Sequence, residues 1–64
     1  MGKAREYLER AKRLIEMDIL DYRDEVIKDH PEDAAILSND SDIWVYRTGV
    51  VEALISMSLK EMEV

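Results

Sequence analysis

The sequence predicts an all-α protein: a two-helix antiparallel hairpin with a short helical connector, homodimerising into a four-helix bundle or a higher oligomer of such dimers. Three observations predict it. The composition is 47% hydrophobic and 38% charged, with one proline, two glycines and no phenylalanine, so helix formers dominate and strand-favouring aromatics are few. Apolar residues recur at steps of three and four from Ala4 to Val26. The last third of the chain is more apolar than one packing partner can cover.

Helix one is expected over about residues 4–28. Ala4, Leu8, Ala11, Ile15, Ile19, Tyr22 and Val26 make its apolar face, widened by Tyr7 and Leu14. On the far side, Glu6 with Arg10, Glu9 with Arg13 and Lys12 with Glu16 are i, i+4 pairs of opposite sign. Met17, Leu20 and Ile27 point away from the main face and mark either scattered exposure or a second interface. The connector covers residues 29–40. His30 before Pro31 disfavours helical geometry, and Pro31, Glu32 and Asp33 suit the first turn of a short helix over about 31–37. Ala34, Ile36 and Leu37 are then expected to tuck over the end of the bundle.

Helix two is expected over about residues 41–62, introduced by the capping cluster Asn39, Asp40, Ser41 and Asp42. The alternating acids of that cluster are not a calcium loop, because the glycine and the bidentate glutamate it requires do not follow. The apolar arc of helix two spans roughly 200° at 100° per residue, so helix one covers only part of it. A bulky side of Ile43, Val50, Leu54 and Met57 suits helix one. The small residues Gly49, Ala53 and Ser56 form a strip where either another helix approaches closely or a large neighbour is accommodated. The expected oligomer interface is Gly49, Ala53, Ser56, Val45, Tyr46 and Trp44, with Trp44 placed either in the core or as an interaction anchor.

A single domain over residues 1–64 has a marginal core at this length, and without cysteine no disulfide supplements it. Self-association is the route that remains. One histidine excludes a histidine-rich metal site, and no metal or cofactor is expected. The charged start is unlike a secretory signal, and the segment from Ile43 to Leu59 carries Arg47 and Glu52, so a cytoplasmic protein without a membrane span is expected.

Charge runs from +3 over residues 1–13 through −8 over residues 14–42 to −1 at the end, together the net −6 of the chain. This asymmetry disfavours nucleic acid as a bulk partner and suits a basic site on another protein. The acidic surface expected to meet it is Asp21, Asp24, Glu25, Asp29, Glu32 and Asp33. Asp18 and Arg47 fall inside the apolar arcs of the two helices and are expected to form a buried ion pair, which either fixes register or lines a small polar pocket for a ligand.

No catalytic constellation emerges. Glu6 with Glu9 and Asp21 with Asp24 have the i, i+3 spacing by which all-α nucleotide pyrophosphatases hold magnesium, but the two pairs lie roughly 22 Å apart on one helix. His30 sits in a turn without a nearby nucleophile. The primary expectation is therefore a small non-enzymatic oligomeric protein-binding module, a regulator or inhibitor. In length and hairpin architecture the chain also resembles the dimeric RNA-binding four-helix bundles exemplified by ROP. That resemblance implies RNA binding through Lys3, Arg10 and Arg13, although no recognition residue matches.

Overall fold

A computed structural model describes residues 2–63, which form helices throughout and no strand among the described residues: α1 (Gly2–Glu16), α2 (Ile19–Asp29), a 3-10 segment (Pro31–Leu37) and α3 (Asp40–Met62). The single helix expected over residues 4–28 is thus two helices, broken at Met17 and Asp18. The physical reason lies in those residues and in one from α3. Asp18 takes an extended conformation (φ −58°, ψ 141°) and its carboxylate accepts from the Leu20 amide at 2.9 Å, the N-cap geometry that competes with helix continuation. The Asp18 carbonyl then accepts the first bond of α2, from the Tyr22 amide at 2.9 Å.

The carbonyls orphaned at the end of α1 are taken by Arg47 of α3. Its guanidinium donates to Met17 O at 2.9 Å, Leu14 O at 3.3 Å and Ile15 O at 3.5 Å. A cation at a helix C-terminus also meets the negative end of the dipole. At the other end of the same contact, the Ser58 hydroxyl donates to Ala4 O at 2.8 Å. Residue 58 beside residue 4, and residue 47 beside residues 14–17, make α1 and α3 antiparallel.

The chain leaves α2 when the His30 amide bonds Val26 O at 2.7 Å, and Pro31 opens the 3-10 segment. Arg23 of α2 donates to Leu37 O at 2.8 Å, which ties down the far end of that segment and holds fully buried Leu37 in the core. Asn39 caps α3, accepting from the Asp42 amide at 3.0 Å while its own amide donates to the Asp42 carboxylate at 2.8 Å. The core is small: Ala11 and Leu14 of α1, Tyr22 and Val26 of α2, Leu37, and Ile43, Val51 and Leu54 of α3. α3 packs most extensively on α1 and less on α2. No described helix is long and apolar enough to cross a membrane.

Candidate functional surfaces

The inward direction of α3 is set by its buried residues Ile43, Arg47, Val51, Leu54 and Ser58. At about 100° per residue the rest of the helix divides into two flanks and a back. One flank holds Tyr46 and Val50, half-buried on the α2 side, and Met57, which is exposed further along it. The Tyr46 ring lies 6.3 Å from the Tyr22 ring, and the Tyr46 hydroxyl donates to Asp33 at 2.9 Å. The other flank holds Trp44, Ile55, Leu59 and Met62, all exposed. On α1, Leu8 and Ile15 are also exposed and project roughly 150° away from Arg10, which faces the α2 side. Antiparallel packing therefore puts Leu8 and Ile15 beside Trp44, Ile55, Leu59 and Met62, on the side of the α1–α3 pair that α2 leaves open. Only Thr48 interrupts this apolar flank of α3, and no charged residue does.

Trp44 is 53% exposed, and the Arg47 guanidinium lies over its ring, 4.1 Å from the centroid. Arg47 itself is 5% exposed. One buried cation thus caps α1 and braces an aromatic on the open face. The ion pair expected between Asp18 and Arg47 is not formed: each is committed to backbone groups at the break, and Asp18 is exposed. Neither lines the groove between α1, α2 and α3.

The residues expected to form one oligomer interface are dispersed. Val45, Gly49 and Ser56 lie on the back of α3, with Val45 72% exposed and nothing within 4 Å of where a Gly49 Cβ would stand. Ala53 and Tyr46 turn towards α2, and Trp44 alone joins the open apolar flank. Ile55, Leu59 and Met62, exposed on the same flank as Trp44, lie outside the expected interface because apolar character alone does not separate their angle from the rest of the helix. Of the residues expected to point away from helix one, Leu20 is exposed, whereas Met17 and Ile27 are half-buried against the core.

The charges are also partly spent internally. Arg5 pairs with Glu9 at 2.9 Å and Lys12 with Glu16 at 3.6 Å. Arg13 reaches Glu25 of α2 at 2.9 Å instead of the expected Glu9. These pairs interrupt any continuous basic strip along α1. Of the expected acidic surface, Glu25 is matched by Arg13 and Asp33 by the Tyr46 hydroxyl, while Asp21, Asp24 and Asp29 are exposed without an ion pair among the described residues. Glu32 lies 3.4 Å from His30 Nδ1, and with Asp33 these residues bring metal-ligand atoms within 4.8 Å of one another at an exposed turn. The Asp33 contact pushes the Tyr46 hydroxyl up to about 12 from 10.0, chiefly through the hydrogen bond, with burial and the Asp33 charge adding to it.

No family model, characterised protein or solved structure matches this chain. Function therefore rests on these surfaces.

Proposed function

We propose that this chain is a non-enzymatic protein-interaction module that works as a homodimer, the two copies meeting through the open face of α1 and α3. The observation that carries the reading is the apolar face of Leu8, Ile15, Trp44, Ile55, Leu59 and Met62 on the side opposite α2, interrupted on α3 by Thr48 alone. Taking about 200 Å² for each aliphatic side chain and about 250 Å² for Trp44, their exposed fractions amount to roughly 600 Å² per copy, or about 1,200 Å² in a dimer, the lower end of stable specific interfaces. A two-fold axis along the helices lays α1 of one copy over α3 of the other, so every neighbouring pair in the resulting four-helix core is antiparallel. The same operation brings the edge carrying Arg5 and Lys12 against the edge carrying Glu52 of the second copy.

In that dimer α2 stays outside, and its unpaired Asp21, Asp24 and Asp29 are presented twice, which suits regulation or inhibition of a partner with a basic site. Sedimentation equilibrium tests the assembly. The expected result is a dimer at micromolar concentration that dissociates in Leu59→Glu and in Ile15→Glu, with the single tryptophan, Trp44, shifting its emission to the red on dissociation. Gly49→Leu, on the back of α3, leaves the dimer intact. A wild-type monomer, or a dimer broken by Gly49→Leu and not by Leu59→Glu, overturns this reading.

A further inference from the structure

The other side of the molecule carries a feature that dimerisation does not use. α1, α2 and α3 diverge around a groove of about 460 Å³, within the range of small-molecule sites. Its floor is apolar: Leu14 from α1, Val26 from α2, and Val50, Ala53 and Met57 from α3, with the rings of Tyr22 and Tyr46 at one end. The break at Asp18 creates it, because a continuous helix one would run along α3 and leave no three-way junction.

The rim of this groove contradicts the charge of the chain. The protein carries −6, yet Arg10 of α1 and Lys28 of α2 both border the groove, and neither has an ion pair among the described residues. The other charges at the rim largely cancel. Arg13 is matched by Glu25 at 2.9 Å, His30 lies against Glu32 at 3.4 Å, and Asp29 is the one acid lining the groove without an ion pair among the described residues. An excess of unpaired positive charge around an apolar trough, on a chain whose overall field repels anions, selects for an anion that also has apolar surface to bury.

We propose that the groove between α1, α2 and α3 is a binding site for a small anionic amphiphile, a carboxylate with a medium-length hydrocarbon tail, the tail lying over Val50, Ala53 and Met57 and the carboxylate meeting Arg10. The site is independent of the dimer face, which lies across the α1–α3 pair. The bidentate fork of Arg10 matches a carboxylate, and Lys28 adds a second positive charge.

Titration with decanoate, followed by calorimetry and by the methyl resonances of Val26, Val50 and Met57, tests it. The expected result is saturable binding of one decanoate per chain, with shifts confined to groove methyls. Arg10→Glu, at an exposed position, weakens binding at least tenfold with the circular dichroism unchanged. Ala53→Trp, which fills the floor, abolishes binding, and Leu59→Glu leaves it intact even though the dimer dissociates. Decanol and decyltrimethylammonium bind at least tenfold more weakly than decanoate. Non-saturating binding, shifts centred on Trp44 and Ile55, equal affinity for the cationic analogue, or an unaffected Arg10→Glu variant each overturns the proposal.

Discussion

Arg47→Met tests whether a buried cation with no carboxylate partner stabilises this fold. The guanidinium makes one short bond, 2.9 Å to Met17 O, and two long ones, 3.3 and 3.5 Å to Leu14 O and Ile15 O. A hydrogen bond from a charged donor contributes about 1.5–3 kcal/mol, and here the short bond carries most of it. The stack on half-exposed Trp44 adds about 0.5–1 kcal/mol. Against this, methionine removes the desolvation cost of a buried charge, an exchange that is neutral or favourable where a buried ion pair is replaced whole. Arg47 differs because its partners are the carbonyls of a helix end. They stay in place when it is lost, and each one left dry costs about 1–3 kcal/mol.

The carbonyls outweigh the desolvation relief. Arg47→Met is expected to lower unfolding free energy by about 2 kcal/mol in urea titrations at fixed protein concentration, so that the proposed self-association does not enter the comparison. Arg47→Lys, which keeps the charge on one donor nitrogen and loses the planar guanidinium over Trp44, is expected to lose about half as much. The damage should be local first: the Tyr22 amide, which closes the first turn of α2 on Asp18 O, is expected to exchange faster in Arg47→Met. A midpoint equal to or above wild type, with Tyr22 protection unchanged, would refute the capping account.

Two further perturbations address the same region and the far end of the groove. Asp18→Ala removes the cap of α2 and is expected to cost about 1 kcal/mol. Combined with Arg47→Met it should show coupling below about 0.5 kcal/mol, because the two side chains do not pair; a larger favourable coupling would restore the ion pair. Tyr46, with its hydroxyl at about 12 in the folded protein against 10.0 ordinarily, keeps its proton where the unfolded chain loses it. Its contribution is therefore complete below pH 10 and disappears as the pH rises through about 12. Burial raises the Tyr22 hydroxyl as well, so in alkaline urea titrations Tyr46→Phe should reduce this loss without abolishing it. An alkaline profile unchanged in Tyr46→Phe contradicts the role of the Asp33 contact.

The all-α class was legible because composition and three-and-four spacing both survive averaging over many residues. Pro31 and the cluster from Asn39 to Asp42 stand at the points where the chain turns, since capping chemistry acts within three or four residues. The break at Asp18 was hidden by the same averaging. Ile15, Ile19 and Tyr22 keep helical spacing across it. The signal present was the charge inside an apolar arc, which fits a core ion pair and also fits two separate caps. Only the position of Leu14 O and Met17 O relative to Arg47 distinguishes these, and that depends on contacts 30 or more residues apart. The small-residue strip has a related limit: side-chain size shows where a helix can approach closely, whereas exposure depends on which flank α2 covers.

The break, the open face and the groove have one origin. Had helix one continued through Asp18, residues 19–28 would have extended the α1 line, and nothing would have covered Tyr46 and Val50. By stopping α1 at Glu16 and restarting at Ile19, the chain folds α2 onto one flank of α3 only. That flank gains the tyrosine pair and the groove, and the opposite flank keeps Trp44, Ile55 and Leu59 uncovered. Arg47 links the two outcomes, with its donors on the end of α1 and its planar face on Trp44. A substitution that relaxes the break therefore loosens the aromatic anchor of the open face at the same time. Arg47→Met should accordingly weaken the proposed dimer although Arg47 itself is buried.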